Sequence, residues 1–245
     1  MKIQVIGCGD AFGSGGRFNT CFLLEDGGQR ILVDCGASSL VALKKFGVDP
    51  DSIGTVVLTH LHGDHFGGLI FLLREATLFK RRTKALVIGG PEGTAERLEN
   101  AMEAFFPGGW IANPAFGLTI MEYRSEEPVS IGPLQVKPYS MRHACGAPPY
   151  ALRIRFAGKT ITYTGDTEWV DSLVDAWKES DLLICESYVY STPVNKHLSY
   201  ETVAARLSEI NPKRVLLTHL NQDMLDRLAE SKYPIARDGM IIDLH

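Results

Sequence analysis

Histidine and aspartate side chains recur in this chain directly after apolar runs that are typical of β-strands. His60 ends the run TVVLTH, His143 comes after VKPYSM, Asp166 follows ITYTG and His219 follows RVLLT. Metal ions bind where imidazole nitrogens and carboxylate oxygens converge, and strand ends can bring such side chains together from distant parts of a chain. A lone histidine is usually an ordinary hydrogen-bonded residue, but this recurrence favours a metal site. The fold is therefore expected to gather these strand ends at one place.

The stretch LTHLHGDHFGG, residues 58–68, is the densest part of this pattern. Because residues two apart on an extended chain project to the same side, His60 and His62 are expected to face one ion. Asp64 and His65 are expected to point to a second position beside it. These ligands are too few for two coordination spheres, so the later strand ends are expected to complete both. Glycines are expected to allow a sharp turn and a close approach of the backbone at Gly63, Gly67 and Gly68.

The composition is that of an ordinary globular protein and disfavours several functional classes. The net charge of −4 argues against a surface built for general nucleic-acid binding, which needs clustered positive charge. The five cysteines are odd in number and lack CxxC spacing, so we expect reduced thiols in a cytoplasmic protein. The N-terminal apolar run is too short for a signal peptide, and no stretch approaches the ~18 apolar residues of a membrane span.

The order of predicted elements indicates an α/β protein in which each half runs from strands to helices, with a seam near residue 120. Two sheets packed face to face with helices outside satisfy this order, and we expect one domain over residues 1–245. Strands are predicted at residues 2–9, 20–26, 30–36, 55–60, 85–90, 118–124, 129–141, 151–166, 181–187, 214–219 and 240–245. Helices are predicted at residues 38–47, 66–81, 93–106, 167–180, 199–210 and 222–232.

The segment HLHGDH, residues 60–65, resembles the HxHxDH signature of the metallo-β-lactamase superfamily. His143, Asp166 in TGDT and His219 in LLTH match its later motifs in order. The resemblance implies a four-layer αββα sandwich that holds two divalent metal ions. It assigns one ion to His60, His62 and His143, the other to Asp64, His65 and His219, and a bridging position to Asp166. Zinc suits such imidazole-rich ligation, with manganese or iron as alternatives.

The same resemblance implies a hydrolase in which paired cations generate a hydroxide that attacks phosphorus or a carbonyl carbon. His197, in NKHLSYETV, is left over from the metal ligands and is similar to the extra histidine of the phosphodiesterase branch, where it serves as general acid. Glu186, in LLICESY, resembles the glutamate that accompanies it, and it is expected to hydrogen-bond His197 and to raise its pKa. The expected catalytic residues are therefore Asp64, Glu186 and His197. Two of them have a structural alternative: His197 as an N-terminal cap or loop contact before a helix, and Glu186 as an ordinary strand-end carboxylate.

The phosphodiesterase branch includes tRNase Z and the cyclic-phosphate phosphodiesterase of phosphonate breakdown. Only 22 residues lie between His143 and Asp166, which leaves no room there for the glycine- and proline-rich arm of tRNase Z. Arg17 stands where the tRNA enzymes have a basic motif, but its proline and lysine are missing. A small cyclic or nucleotide-like phosphodiester is therefore the favoured substrate, and nucleic acid is the less favoured one. The basic run LFKRRTK, residues 78–84, is interpreted as a solvated helix end, with a phosphate-steering patch as its rival.

Other readings of the same ligand set stay open. A lactonase of this superfamily carries a tyrosine three residues after the bridging aspartate, where this chain has Trp169. A scaffold protein without catalysis is disfavoured, because such proteins tend to lose ligands and this chain keeps the full set. Members of the superfamily often dimerise, so the resemblance also allows a homodimer.

Overall fold

The computed structural model describes residues 1–79, 82–192, 194–210 and 212–245, apart from the side chains of residues 208 and 209. Its β-strands are β1 (Lys2–Gly7), β2 (Cys21–Asp26), β3 (Gln29–Val33), β4 (Thr55–Val57), β5 (Leu86–Pro91), β6 (Leu118–Tyr123), β7 (Val129–Ile131), β8 (Leu134–Ser140), β9 (Tyr150–Phe156), β10 (Lys159–Tyr163), β11 (Leu182–Glu186), β12 (Val215–Thr218) and β13 (Ile241–Asp243). Its α-helices are α1 (Ser39–Lys45), α2 (Gly63–Phe66), α3 (Gly68–Leu78), α4 (Thr94–Phe105), α5 (Ser172–Trp177), α6 (Tyr200–Ile210) and α7 (Gln222–Leu225).

The strands form two mixed sheets with matching plans. The first sheet has the order β13-β1-β2-β3-β4-β5-β6, and the second has the order β12-β11-β10-β9-β8-β7. In the first, β3 to β6 run parallel, whereas β1, β2 and β13 pair antiparallel. In the second, β10 to β12 run parallel and β7 to β10 pair antiparallel. The chain changes sheets between β6 and β7, close to the predicted seam, and β13 then returns to the first sheet.

Apolar side chains fill three layers, which makes the architecture an αββα sandwich as predicted. One layer lies between the two sheets, where the rings of Phe22 and Tyr163 meet with centroids 5.4 Å apart. A second packs the first sheet against α1, α3 and α4. A third packs the second sheet against α5, α6 and α7, with Trp177 fully buried. Burial of both faces explains the apolar β-branched runs of the parallel strands.

The two predicted hairpins form, and their turns show why. Gly27 and Gly28 adopt φ angles of 53° and 78°, and Ala157 and Gly158 adopt 50° and 73°. Such left-handed pairs match the twist of a two-residue β-hairpin and favour glycine. The turn at Gly132, with φ 54°, likewise divides the predicted strand 129–141 into β7 and β8.

Two predicted helices are shorter than expected. The helix predicted at 167–180 is reduced to α5, and ahead of it the backbone N–H groups of Thr167 and Glu168 donate to Glu186 Oε1 and the Arg142 carbonyl. The helix predicted at 222–232 divides into α7 and a 3₁₀ turn at Leu228–Glu230, since Met224 alone of its α7 part is buried. The predicted helix 66–81 becomes α2 and α3, and its last two residues lie outside the described residues.

Among the described residues, no helix combines the length and the apolar character that a membrane crossing requires.

Candidate metal centre

The exits of four strands meet at one edge of the sandwich and carry the predicted ligands. His60 follows β4, His143 follows β8, Asp166 follows β10 and His219 comes directly after β12. Parallel pairing of β11 with β12 sets Glu186 opposite Thr218, so that Glu186 ends its strand beside His219. The recurrence of polar residues after apolar runs thus corresponds to a single site in the fold.

The loop 60–65 closes on itself in the short helix α2. The N–H groups of His65 and Phe66 both donate to the His62 carbonyl at 3.0 Å, which places Asp64 and His65 on the first turn. Gly67 and Gly68 are needed for close packing: a Cβ at Gly67 would lie 2.5 Å from the Gly63 carbonyl oxygen, and one at Gly68 would overlap the Gly36 carbonyl. At Gly63, where a sharp turn was expected, φ is ordinary and a Cβ would meet nothing within 4 Å, so the turn does not depend on glycine there.

The first group of candidate ligands consists of three histidines. The ligand atoms of His60, His62 and His143 all lie within 4.8 Å of one another. His143 Nε2 and His62 Nδ1 lie 3.0 Å apart. Lone pairs of three imidazoles therefore converge on one point, as a tetrahedral cation site with one open position requires.

The second group combines two carboxylates and two histidines. Ligand atoms of Asp64, His65, Asp166 and His219 lie within 4.8 Å of one another. His65 Nε2 is 3.3 Å from Asp64 Oδ2 and 3.3 Å from Asp166 Oδ1, and His219 Nε2 is 3.2 Å from Asp166 Oδ2.

Asp166 lies between the two groups. Its Oδ2 is 3.9 Å from His60 Nε2 and 3.8 Å from His143 Nε2 of the first group, and 3.2 Å from His219 Nε2 of the second. Its Oδ1 is turned toward His65 of the second group, at 3.3 Å. Asp166 therefore lies close to candidate ligands of both groups.

A ring of outer hydrogen bonds fixes the orientation of the imidazoles. Asp34 Oδ2 contacts His65 Nδ1 at 2.7 Å, and Thr20 Oγ1 contacts His219 Nδ1 at 3.3 Å. His60 Nδ1 lies 3.1 Å from Thr59 Oγ1, and His143 Nδ1 donates to the Lys196 carbonyl at 2.9 Å. In these four imidazoles Nδ1 is occupied, which leaves Nε2 as the inward ligand atom, whereas His62 turns its Nδ1 toward His143.

These outer partners are the residues that sequence reasoning missed. Asp34 carried the same signal as the predicted ligands, because it follows the apolar strand β3 directly. Asp34 and His219 share a further feature, left-handed backbone with φ of 57° and 59°. Strained backbone at two strand exits of one site is typical of a functional constraint.

Burial and nearby charges shift the histidine pKa values in opposite directions in the two groups. In the first group, burial lowers the pKa of His60, His62 and His143, so these imidazoles are neutral and able to donate a lone pair. In the second, burial acts to lower the pKa of His65, but the carboxylates of Asp166 and Asp64 outweigh it and hold that pKa well above its usual range. Burial likewise opposes ionisation of Asp166, yet the positive charges of His219 and His65 keep its pKa well below the ordinary value. The second group therefore holds negative carboxylate charge that is balanced by protonated imidazoles. A bound cation could supply the same positive charge in their place.

The donor set fits divalent cations. Buried atoms that lack a hydrogen-bond partner of good geometry among the described residues include four at the centre: His60 Nε2, Asp64 Oδ2, His65 Nε2 and Asp166 Oδ1. Unsatisfied buried polar atoms are costly, and four at one point indicate a ligand that satisfies all of them. Imidazole and carboxylate donors of this kind suit zinc, manganese or iron.

His197 and Glu186 form a pair at the edge of the same centre. His197 Nδ1 lies 2.9 Å from Glu186 Oε2 and 4.0 Å from Asp166 Oδ2. The side chain of Glu186 is fully buried, whereas that of His197 is 17% exposed. The ring of Tyr188 stacks on the imidazole of His197 at 4.4 Å. The predicted hydrogen bond is present, but burial lowers the pKa of His197, contrary to the expectation that Glu186 raises it.

Other residues singled out in the sequence lie elsewhere. Arg17 Nη1 donates to the Ala236 carbonyl at 3.3 Å and contacts Cys8 Sγ. Of the basic run 78–84, Arg82 is buried and its guanidinium donates to backbone carbonyls, among them those of Pro50 and Ala85 at 3.3 and 3.1 Å. Arg82 is therefore a structural residue, whereas Lys80 and Arg81 lie outside the described residues and the interpretation of the run stays a prediction.

The chain is similar in sequence and fold to known metallo-hydrolases. Residues 1–238 match the family model described as anti-Pycsar protein Apyc1. The chain is 28% identical over 227 residues to the probable metallo-hydrolase YhfI of Bacillus subtilis, an alignment that covers 90% of this chain and 87% of that protein. The crystal structure of YhfI resembles 99% of this chain with a TM-score of 0.81 at 26% identity, and 99% of that structure is covered.

Two more distant structures share the fold. The short form of human tRNase Z has a TM-score of 0.79 at 24% identity and covers 99% of both chains. A diphosphatase of the PhnP family has a TM-score of 0.78 at 17% identity and covers 100% of this chain and 98% of its own. The predicted resemblance to metallo-β-lactamase-fold hydrolases is thus confirmed, and metallo-hydrolase relatives support a hydrolase. With residues 1–238 matched, the chain belongs to the family described as anti-Pycsar protein Apyc1, among the proteins of the metallo-β-lactamase fold.

Proposed function

We propose that the chain is a dinuclear metal-dependent phosphodiesterase that cleaves a small cyclic or nucleotide-like phosphodiester. The observation that carries this proposal is the hydrogen bond of 2.9 Å between His197 Nδ1 and Glu186 Oε2. It places His197 Nδ1 4.0 Å from Oδ2 of Asp166, the carboxylate assigned here to both cations. Ligand atoms of His197, His143 and Asp166 also lie within 4.8 Å of one another, but the two groups described above hold their cations in this proposal without His197. Its natural role is to move a proton for the reacting group.

In this proposal the two groups of the centre hold one cation each. His60, His62 and His143 bind the first, Asp64, His65 and His219 bind the second, and Asp166 contacts both. When bound, a pair of divalent cations lowers the pKa of water and offsets negative charge that develops on the phosphorus oxygens. Asp64 and Asp166 balance the charge of the cations, and the outer partners Asp34, Thr20 and Thr59 keep the imidazoles in the productive tautomer.

His197 supplies the proton that the leaving alkoxide needs. Because Glu186 occupies Nδ1, the other ring nitrogen, Nε2, is left to donate. Burial lowers the pKa of His197, which makes its protonated form a stronger acid toward the alkoxide. Stacking on Tyr188 limits rotation of the imidazole, so the proton is held in one position.

The segment between His143 and Asp166 supports a small substrate. It consists of a short loop, 144–149, followed by the hairpin of β9 and β10, and every residue in it is described. The backbone N–H of Tyr150 donates to the Thr59 carbonyl at 3.0 Å, which ties this segment to the ligand loop. These residues contain no insertion long enough to form an arm that holds a folded RNA. A small diester is therefore favoured over a tRNA substrate, which the name tRNase Z denotes.

A substrate panel tests the proposal. Protein stripped of metal by chelation is reconstituted with Zn²⁺, Mn²⁺ or Fe²⁺ and given an aryl phosphodiester, a 3′,5′-cyclic nucleotide, a structured RNA, a lactone and a thioester. We expect turnover of the aryl and cyclic phosphodiesters only after metal is restored, with the metal-free protein as control. Hydrolysis of the lactone or thioester alone, or failure to take up any divalent ion, would contradict the proposal.

A further inference from the structure

Lys196 holds a left-handed backbone conformation in the turn that leads into the proposed general acid. Its φ is 72°, whereas that of the preceding Asn195 is negative. The His197 N–H donates to the Val194 carbonyl at 3.2 Å, which closes a β-turn with Lys196 at its third position. A positive φ at that position is the pattern of a type II turn, which favours glycine or asparagine there. A side chain with a Cβ is strained in this conformation, so the surroundings of Lys196 must hold it in place.

The carbonyl of Lys196 holds a candidate metal ligand. It accepts the Nδ1–H of His143 at 2.9 Å, which leaves Nε2 of that ring to face the centre. His143 Nε2 lies 3.8 Å from Asp166 Oδ2 and 3.0 Å from His62 Nδ1. Rotation of the backbone at Lys196 would turn this carbonyl away and release the imidazole. The orientation of His143 therefore depends on the conformation of residue 196.

The same peptide unit carries the proposed general acid. His197 directly follows Lys196, and its N–H belongs to the peptide whose carbonyl holds His143. Nδ1 of His197 lies 2.9 Å from Glu186 Oε2, and its ring stacks on Tyr188 at 4.4 Å. The ring centroids of His143 and His197 are 5.0 Å apart. One peptide unit thus binds a metal ligand through its carbonyl oxygen and carries the proton donor on its nitrogen side.

Backbone pairing after the turn keeps the segment from shifting as a whole. The Tyr188 N–H donates to the Leu198 carbonyl at 2.9 Å, and the Tyr200 N–H donates to the Val189 carbonyl at 2.8 Å. Val189 and Ser199 form a parallel β-bridge between these two hydrogen bonds. A change in the turn must therefore act on its last peptide unit, because the chain beyond that unit is fixed.

We propose that the left-handed backbone of Lys196 positions the metal ligand His143 and the proton donor His197 together. Lys196 is then a positioning residue that acts through its main chain. The inference rests on the proposed function for the role of His197 and on the assignment of His143 as a ligand. It accounts for the unfavourable conformation in this turn, since backbone strain persists where it holds functional groups in place.

Four substitutions test the proposal, because Lys196→Gly, Lys196→Asn, Lys196→Ala and Lys196→Val all remove the same charge but differ in their tolerance of a positive φ. Glycine and asparagine adopt it readily, alanine less so, and valine least, since its Cβ is branched. Competition with a chromophoric chelator measures metal affinity, and phosphodiesters with leaving groups of different basicity measure kcat.

We expect Lys196→Gly and Lys196→Asn to resemble each other. Relative to them, Lys196→Val should bind metal on the order of 10-fold more weakly and lose on the order of 10- to 100-fold in kcat, with Lys196→Ala between. The loss in kcat should grow with the basicity of the leaving group, because a misplaced acid delivers its proton less well.

Glu179→Val is the matched control, because Glu179 has a left-handed φ of 56° at an exposed position after α5. We expect it to lower the urea midpoint of the metal-free protein as Lys196→Val does, and to leave metal affinity and kcat at their wild-type values. Equal metal affinity in Lys196→Val and Lys196→Gly would overturn the inference, as would an equal loss of affinity in Glu179→Val. If wild type hydrolyses no diester, the proposed function fails, and the metal affinities still decide whether residue 196 positions His143.

Discussion

Asp34 Oδ2 lies 2.7 Å from Nδ1 of His65, and both side chains are fully buried. The same carboxylate accepts the N–H of Thr59 at 2.7 Å and its hydroxyl at 2.8 Å. Asp34 thereby joins the exits of β3 and β4 and turns His65 Nε2 toward Asp64 and Asp166. A carboxylate behind a ligating histidine fixes its tautomer and strengthens it as a ligand.

Asp34→Asn is therefore expected to weaken metal binding by roughly 10- to 100-fold, because the amide cannot replace the charged acceptor behind His65. Competition with a chromophoric chelator measures the affinity. Asp243→Asn, on the exposed face of β13, is the matched control and is expected to bind metal as wild type does. Equal affinity of the Asp34 variant and wild type would show that this contact does not support the centre.

The convergence of His60, His143, Asp166 and His219 could be predicted from sequence because each of them marks a strand exit. His219 directly follows an apolar run that could only be a buried strand, and Asp166 follows another. The outer partners could not be predicted in this way. Thr20 and Thr59 are ordinary polar residues until the sheets form, and only then do they meet His219 and His60.

Long-range pairing sets the limit of sequence reasoning about the fold. Residues 240–245 were predicted as a strand, but nothing local reveals that Lys2 pairs with Asp243 and returns the chain to the first sheet. The helix predicted at 167–180 had a helical pattern, yet the Thr167 N–H donates to the buried carboxylate of Glu186. Tertiary hydrogen bonds override helix propensity where the site needs an irregular backbone.

Asp166→Ala is expected to reduce the metal content of the purified protein to well below that of wild type, since the bridge between the two ligand groups is lost. Elemental analysis after dialysis against trace Zn²⁺ measures the content per chain. Asp171→Ala, at an exposed position five residues along the chain, serves as the control. Full occupancy in the Asp166 variant would remove the bridging assignment.

His197→Ala is expected to lower kcat by about 10²-fold or more while the metal content stays that of wild type, as a lost general acid requires. The loss should grow with the basicity of the leaving group, because an alkoxide needs the proton more than a nitrophenolate does. A series of diesters with leaving groups of increasing pKa measures this dependence. A loss that is equal across the series would assign His197 to another role.

Glu186→Gln tests the buried acid through the pH dependence of stability in the metal-free protein. Burial, and after it the charge of Asp166, raises the pKa of Glu186 well above its ordinary value of 4.5. The folded protein then holds a proton that the unfolded chain releases above pH 4.5, so this group contributes stability at low pH that is lost as pH rises toward the folded pKa. Wild type should therefore lose stability relative to Glu186→Gln from pH 4.5 upward, by at most about 1.4 kcal/mol per pH unit. Parallel denaturation curves for the two proteins across this range would contradict the assignment.

Gly36 and Gly63 offer a matched pair of glycine-to-alanine changes on the two sides of the ligand loop. A Cβ at Gly36 would overlap the carbonyl oxygen of Asp64 and lie 2.5 Å from Asn19 Cβ, whereas a Cβ at Gly63 would meet nothing within 4 Å. We expect Gly36→Ala to lower the free energy of unfolding by about 1–3 kcal/mol, because the backbone that carries Asp64 must shift to relieve the overlap. The same shift moves a ligand, so metal affinity should fall with it.

Gly63→Ala is expected to leave metal binding intact and to change stability by less than ~1 kcal/mol, since alanine suits the first turn of α2 better than glycine does. Urea denaturation of both metal-free variants, together with chelator competition, measures the two effects. Gly36→Ala reports the effect of a steric overlap, whereas Gly63→Ala reports only the loss of the conformational freedom of glycine. Both positions lie close to the same centre. Equal behaviour of the two variants would mean that the approach of the β3 exit to Asp64 does not position the ligand loop.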